Sequence, residues 1–179
     1  TSSARLSSGT GHITLDAAGA LNLAAPVETS GSGSVYLTAG TSTSVSSVIT
    51  SSGNVQLLSG ADLTLGSINA GTGSVYLQAT GDIKDADPTG NSVNVTANAL
   101  AMRAGGKIGD SDLSAPSNTN RNAIGTQVST LAAQAANGIY VQESNGVTID
   151  SVSITSDRVN FNSSRTAQSQ SLEDLSSTS

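Results

Sequence analysis

The chain has 179 residues, of which 2% are aromatic and 11% are charged, and its formal net charge at pH 7 is −6. Seven Lys and Arg residues scattered through an acidic chain do not form the basic patch that binds nucleic acid or an anionic membrane surface. The chain has no Cys, so no disulfide stabilises it, and we expect its stability to come from repetition instead.

The polar part of the composition consists mainly of small uncharged residues. Ser, Thr, Asn, Gln and 19 Gly replace the charged residues, which make up about 25% of an ordinary soluble domain. No stretch approaches the roughly 20 apolar residues of a membrane span, so we expect no membrane insertion. No signal peptide opens the chain, which begins at Thr1, and we expect a processed protein or an excised segment.

A pentapeptide recurs at a fixed interval in the first half of the chain. GSVYL occupies 33–37 and 73–77, and GNVQL stands between them at 53–57. Apolar and polar residues alternate within each copy, which is the pattern of a strand with one buried face. Each copy is followed by a turn of small residues, then by a second alternating segment, and then by one further apolar residue. The residues predicted to point inward are Ile13, Leu15, Leu21, Leu23, Val27, Val35, Leu37, Ile49, Val55, Leu57, Leu63, Leu65, Ile68, Val75 and Leu77.

Three short strands per 20 residues predict one turn of a β-solenoid. A single coil cannot bury its inward face, whereas stacked coils build a continuous core. A β-sandwich is the alternative, but antiparallel hairpins do not require the same pentapeptide at a fixed offset. We therefore expect an all-β parallel solenoid of at most about eight coils, roughly 35–40 Å long.

The second half of the chain is less regular. The pattern restarts at 92, with Val93, Val95, Leu100 and Met102 predicted to point inward. Polar, turn-rich residues predict a protruding loop over 110–125. The segment 126–137 fits both helical and strand spacing, and we favour a strand because the solenoid pattern resumes directly after it.

The solenoid domain is predicted to span residues 1–162. Val159 and Phe161 are its last predicted inward pair. Residues 163–179 form a Ser/Gln-rich tail, which is either a linker or a cap that ends in a short helix begun by Ser171.

Several runs resemble the repetitive shafts of filamentous-haemagglutinin-like adhesins, which bacteria secrete by the two-partner route. They are GSVYLTAG, GADLTLGSI, ANALAMRAGGKIG and GIYVQESNGVTIDSV, and the likeness of pattern and composition extends over about residues 11–160. The resemblance implies a right-handed parallel β-helix, a secreted or bacterial cell-surface location, and a role in adhesion or as a spacer. The secretion domain of that family is not recognisable and no RGD motif occurs, so the chain resembles the shaft alone.

Polar and aromatic residues occupy the outward position of the first strand of each repeat. The row comprises Thr14, Tyr36, Gln56, Tyr76, Asn94, Tyr140 and Asn160. Tyrosines stacked at coil spacing offer rigid area and hydroxyl groups, which suit contact with a glycan or protein. Alternatively, outward Tyr simply favours β structure. The residues predicted to contact a glycan or protein of a host or neighbouring cell are Tyr36, Gln56, Tyr76, Asn94 and Tyr140.

The densest acidic cluster lies in the sequence GDIKDADPTG. Asp82, Asp85 and Asp87 alternate near a turn, where carboxylates collect oxygen ligands for Ca²⁺. Lys84 lies among them and neutralises part of their charge, and a solvated turn is the simpler interpretation. We expect no cofactor, and Ca²⁺ at this cluster is the alternative that stays open.

Parallel β-helices also include enzymes that cleave acidic polysaccharides with paired carboxylates or a carboxylate and a base. Asp82 or Asp85 could pair with Lys84 or Arg103 in that chemistry. His12 has no identifiable Ser or carboxylate partner in the sequence, and we expect it at the surface.

We therefore expect a non-enzymatic rod that serves in adhesion or surface display. One alternative is a subunit of an extracellular filament, in which neighbouring solenoid segments join end to end through their open coils. The other is a polysaccharide-processing enzyme.

Overall fold

The chain is all-β in the part that a computed structural model describes, which is residues 4–50, 52–87, 92–111 and 122–178. The strands in these residues are β1 (Leu6–Ser8), β2 (Ile13–Ala17), β3 (Leu21–Leu23), β4 (Val27–Thr29), β5 (Val35–Ala39), β6 (Thr43–Ile49), β7 (Val55–Ser59), β8 (Leu63–Asn69), β9 (Ser74–Ala79), β10 (Ile83–Asp85), β11 (Val95–Ala104), β12 (Ile124–Ala135), β13 (Val141–Glu143), β14 (Thr148–Ile149), β15 (Val152–Val159), β16 (Arg165–Leu172) and β17 (Leu175–Ser177). The ambiguous segment 126–137 is thus a strand over nearly all of its length, as predicted.

The strands stack in parallel to form three faces of a β-solenoid. Face 1 contains β2, β5, β7, β9 and the second halves of β11 and β12. Face 2 contains β3, β10 and the first halves of β6 and β8. Face 3 contains β1, β4, β13, the second halves of β6 and β8, and the first halves of β11 and β12. The predicted solenoid is confirmed, with about 6 turns of about 21 residues.

We number the coils from the amino end by their face 1 strands, so that β2, β5, β7, β9, β11 and β12 belong to coils 1 to 6. At a strand spacing of about 4.8 Å, six coils make a rod about 30 Å long. The 20-residue offset between Val35, Val55 and Val75 is the circumference of one coil. The offset grows to 25 residues between Val75 and Leu100 and to 31 residues between Leu100 and Leu131.

The predicted loop over 110–125 is described only at its two ends. Residues 112–121 lie outside the described residues, and Ile124 and Gly125 already belong to β12.

Most predicted inward residues form the core. In the regular coils the face 1 column of Val35, Val55 and Val75 is fully buried. Two predictions were wrong by one position or more: Ile49 is 40% exposed while Val48 is buried in its place, and Val93 is exposed while Val95 is buried. The apolar-polar alternation is interrupted at the bend between faces 2 and 3. Val45 and Val48 both point inward although they are three positions apart, so the inward positions shift by one residue.

The glycine that opens each repeat is required by the close approach of successive coils. A Cβ atom on Gly53 would collide with the carbonyl oxygen of Gly33, and one on Gly73 would collide with that of Gly53. Because the backbones stack directly at this corner, there is no room for a side chain. The recurring Gly is therefore a packing requirement of the solenoid.

The last strand of face 1 is interrupted by an insertion. β14 pairs with Thr130 and Leu131 of β12, and β17 pairs with the stretch from Ala133 to Ala135. Between them the chain leaves the stack and forms the antiparallel pair β15 and β16. β13, β14 and β17 together make a partial terminal coil below coil 6.

The carboxyl-terminal third therefore differs from the prediction. The domain boundary after residue 162 falls in the turn of this hairpin, Phe161 is fully exposed at the same turn, and Val159 lies on β15 rather than inside the solenoid. The helix expected from Ser171 is absent, because Arg165–Leu172 is a strand. The alternating pattern of 152–159 does mark a strand with one buried face, but that face packs on the outside of the solenoid.

Candidate functional site

The hairpin of β15 and β16, which we call the covering hairpin, runs along the rod over the outer surface of face 1. At coil 1 the Val159 N–H donates to Thr14 Oγ1 (2.8 Å). At coil 3 Asn54 Nδ2 donates to the Thr155 carbonyl (2.7 Å), and Ser156 Oγ donates to Gln56 Oε1 (2.6 Å). One strand of the hairpin therefore crosses successive coils.

This hairpin covers the row that was predicted to contact a ligand. Thr14, Tyr36, Gln56 and Tyr76 share one column, as predicted, but Tyr36 is 6%, Gln56 0% and Tyr76 1% exposed. The expectation that this row faces solvent was wrong, because a strand distant in sequence packs against it. Burial raises the pKa of the Tyr36 and Tyr76 hydroxyl groups, although nearby guanidinium groups oppose the shift.

The other two predicted contact residues lie outside this column. Ala101 and Ala132 continue it on coils 5 and 6. Asn94 is buried where faces 2 and 3 meet, and its side-chain amide donates to the Gly66 carbonyl (3.0 Å) and accepts from the Gly125 N–H (2.8 Å). Tyr140 is partly buried just before β13. As contacts for an external ligand, these residues stay a prediction.

The covering hairpin is held differently at its two ends. Its base packs through apolar side chains against the column on coils 4 to 6: Val152, Ile154 and Leu172 contact Tyr76, Ala101 and Ala132. Its tip half is held mainly by hydrogen bonds and ion pairs, and within the described residues Gln56 Nε2 and Arg158 Nε have no hydrogen-bond partner. Because an unpaired buried donor costs free energy, the base is the stronger attachment.

His12 lies beneath the hairpin tip and has the partners that the sequence did not reveal. Its Nδ1 is 2.7 Å from Ser34 Oγ, and its Nε2 is 3.4 Å from the Asp157 carboxylate. Ser34 is buried, and its Oγ also accepts the Asp157 N–H (3.1 Å), so this hydroxyl is not accessible to a substrate. Together His12, Ser34 and Asp157 link the hairpin tip to coils 1 and 2.

A ladder of acids and lysines follows the corner between faces 1 and 2. Lys84 Nζ lies 2.6 Å from the Asp62 carboxylate and 3.6 Å from that of Asp82, and Lys107 Nζ lies 3.0 Å from Asp110. Asp62 Oδ1 accepts the Asp82 N–H, and Asp82 Oδ1 accepts the Lys107 N–H, so each Asp binds the backbone of the next coil. A cleft of about 180 Å³ opens beside these residues.

The ion pairs shift the pKa values of their members in the expected directions. The hydrogen bond from Lys84 is the largest cause of the lowered Asp62 pKa, and the same bond raises the pKa of Lys84. Lys107 likewise lowers the Asp110 pKa. These carboxylates are therefore held ionised by adjacent ammonium groups.

The carboxylates predicted to bind Ca²⁺ are engaged with the protein itself. Asp85 Oδ1 accepts from Asn94 Nδ2 (2.8 Å) and from the Asp87 N–H (2.9 Å), while Asp82 belongs to the corner ladder. Within the described residues no group of three or more potential metal-ligating side chains converges. Of the pairings considered for polysaccharide cleavage, Lys84 lies beside Asp82, whereas Arg103 lies apart on the outer side of face 1.

Glu143 closes the inward column of face 3. That column contains Val27, Val48, Ile68 and Val95, followed by Thr126 and then Glu143 on the terminal coil. The Glu143 carboxylate accepts from Thr126 Oγ1 (2.7 Å) and from the Val128 N–H (3.2 Å). A carboxylate therefore lies where every regular coil has an aliphatic side chain.

Sequence reasoning missed the covering hairpin, the Asp62–Lys84 pair and the closing role of Glu143. The 20-residue offset between Asp62 and Asp82 was a usable signal for the corner ladder, because that offset stacks them on adjacent coils. The hairpin gave no such signal.

No protein-family model, curated protein or solved structure matches the chain. Among the described residues, no helix has the length and apolar character needed to span a membrane.

Proposed function

We propose that the chain is a non-enzymatic segment of a secreted or bacterial cell-surface protein, in which it serves as a rigid rod for adhesion or surface display. The observation that carries the proposal is the in-register stack of six coils, joined by continuous parallel pairing and braced by the covering hairpin. Such a stack holds attached groups at a fixed distance from an anchoring point. Its partners would be glycans or proteins of a host or neighbouring cell, and weak contacts on such a rod would add through effective concentration.

The distribution of charge supports this role. Ion pairs at the coil corner and at the hairpin tip satisfy most of the described lysines and arginines. Short uncharged side chains make up much of the remaining surface, as in the adhesin shafts that the sequence resembles.

The location is tested by labelling intact cells of the source organism with antibodies raised against the rod. We expect labelling without permeabilisation and its loss after brief external proteolysis. Labelling that requires lysis would contradict the proposal. Release of reducing sugars from acidic polysaccharides by the purified chain would instead support an enzyme.

End-to-end assembly is the second candidate, and the amino end favours it. There β2 and β3 pair on one side only within the described residues, and Leu6 is exposed beside them. Unpaired strand edges of this kind accept a further strand. Electron microscopy of the purified chain distinguishes single rods from filaments.

A further inference from the structure

Arg103 differs from every other described lysine and arginine. Arg5, Lys84, Lys107, Arg158 and Arg165 each have a carboxylate partner. Within residues 4–50, 52–87, 92–111 and 122–178, Arg103 is the one cation without an ion pair. An unpaired guanidinium in a chain of net charge −6 is a local exception to the acidic field of the molecule.

The side chain lies in a groove on the outer side of face 1, beyond the part that the covering hairpin occupies. The groove has a volume of about 450 Å³. Gln78 on coil 4 and Gln134 on coil 6 flank Arg103 in register, and Thr178 lies at the border. Ala104, Ala135 and Ala136 are also among the lining residues, and they place no large side chain in the groove.

The polar groups of the groove are regularly spaced. Three successive coils place an amide, a guanidinium and a second amide about 4.8 Å apart, so the row spans about 10 Å. A guanidinium presents a planar set of donors that binds a carboxylate through two parallel hydrogen bonds. Side-chain amides both donate to and accept from hydroxyl groups. Gln78 Oε1 already accepts from the Tyr76 hydroxyl (2.9 Å), so Gln78 offers a ligand mainly its N–H donors. This combination suits a short saccharide that carries one carboxylate near its centre.

A peptide carboxylate offers the same charge but fits the groove less well. Besides Arg103, the described residues that line the groove are Ala, Gly, Thr and Gln, so they offer no large apolar side chain for a peptide residue to pack against. The net charge of −6 also disfavours long polyanions, because the acidic molecule as a whole repels them.

We propose that the Arg103 groove binds the carboxylate of an acidic saccharide, with the flanking glutamines contacting its hydroxyl groups. This site deepens the proposed function, on which it rests, by naming the ligand class that the rod contacts. Because Arg103 is exposed, added salt weakens the binding.

The test is an NMR titration of the whole chain with the dimer of galacturonic acid, with the dimer of galactose as its neutral counterpart. We expect saturable shifts of the Arg103 Nε–H and the Gln134 side-chain amide with the acidic dimer alone. Arg103→Gln should weaken the binding by about tenfold or more, because it removes a charge-assisted pair. Gln134→Ala should have a smaller effect.

Arg165→Gln is the matched control, because Arg165 is also exposed but already paired with Asp157. It should leave the affinity unchanged. Absence of saturable shifts, equal response to the neutral dimer, or unchanged affinity in Arg103→Gln would overturn the proposal. These outcomes do not depend on the cell-surface labelling experiment. A result that excludes saccharide binding can therefore be distinguished from one that excludes the display function.

Discussion

The two ends of the rod differ in how they finish the stack. At the amino end β2 and β3 leave one edge unpaired, partly buried Leu15, Leu21 and Leu23 adjoin the core, and the nearby charges form the pairs Arg5–Glu28 and Arg158–Asp16. At the carboxyl end Glu143 occupies an inward position, and Asp150, Glu173 and Asp174 add negative charge with no ion pair in the described structure. Inward-pointing charge is a known means of preventing edge-to-edge association. Within the described residues β13, β14 and β17 also pair on one side only, so the difference lies in charge. We call the amino end open because its inward positions are uncharged, and the carboxyl end closed because Glu143 places a carboxylate at its edge.

This difference bears on filament formation. Continuous growth joins the carboxyl end of one copy to the amino end of the next, and it would bury Glu143 and its neighbours. The amino end favours end-to-end assembly, but we expect the charge at the carboxyl end to oppose it, so that the open amino end contacts a different surface. The following changes test this difference between the ends, together with the attachments that hold the rod between them.

The largest effect is expected at the base of the covering hairpin, which belongs to the closed end. Ile154→Ala removes a buried side chain that packs against the outer column, and it should lower the free energy of unfolding by about 2 to 5 kcal/mol. Urea denaturation measures this loss.

Ile49→Ala is the matched control, because Ile49 is an exposed residue of the same type. It should change the free energy of unfolding by less than about 0.5 kcal/mol. Equal losses in the two variants would show that the hairpin does not pack on the solenoid as described.

Replacing the closing carboxylate should convert the closed end into an associating one. Glu143→Val restores the aliphatic residue that the same column has at Val27 and Val95, so the terminal coil should then stack on the open amino end of another copy. Sedimentation velocity should show association that increases with concentration, while the wild-type chain stays monomeric.

Glu173→Val makes the same chemical change at an exposed position outside the column. It should remain monomeric. Association of the wild-type chain, or of both variants alike, would show that Glu143 does not close the rod.

Removing a single charge should change stability less. The change should be a loss in the corner ladder and no loss at the closed end. Asp62→Asn keeps an acceptor for the Asp82 N–H but breaks the exposed pair with Lys84, so it should cost up to about 1 kcal/mol. Glu173→Gln relieves repulsion at the closed end and should leave stability unchanged or slightly higher. Thermal melts at low salt compare the two variants. A loss of stability in both would contradict the distinction between the paired carboxylate of Asp62 and the unpaired one of Glu173.

The Asp62 pair also predicts a pH dependence. Because Lys84 lowers the Asp62 pKa below its ordinary value of 3.8, the pair stabilises the fold above that pH, and the contribution disappears as the pH falls through the lower folded value. Melts of the wild-type chain between pH 7 and pH 2.5 should show this loss, and Asp62→Asn should reduce it. An identical acid profile in the variant would exclude Asp62 as its source.

The smallest effect is expected at the hairpin tip. Phe161 is fully exposed, so Phe161→Ser should change the free energy of unfolding by less than about 0.5 kcal/mol. Urea denaturation again provides the measurement. A loss comparable to that of Ile154→Ala would mean that the tip, rather than the base, anchors the hairpin.

The sequence was sufficient to predict the parts of the fold that depend on a local, repeated pattern. The alternation around Val35, Val55 and Val75, with its 20-residue offset, predicts both strands and stacking, because each coil uses the same inward positions. The slip from Ile49 to Val48 was not predicted, since it depends on where the chain bends between two faces.

The candidate site was predicted less well, because it depends on contacts between distant segments. The column of Tyr36, Gln56 and Tyr76 was identified, but the residues that cover it lie about 100 positions away and pair through single hydrogen bonds such as Ser156–Gln56. Nothing in the alternation of 152–159 distinguishes a strand that packs inside the solenoid from one that packs on its outer surface. The alternation showed that one face of this strand is buried, but it did not show which surface buries it.

The covering hairpin has a mechanical consequence. In an ordinary solenoid each coil touches its neighbours alone, so the stack loses order coil by coil from an end. Here a single strand is tied to coil 1 at Thr14 and to coil 3 at Asn54, and it is anchored on the outer column of the last coils through Val152 and Ile154. A pulling force that would peel one coil must also detach this brace from the others, so the rod yields to tension as one cooperative unit.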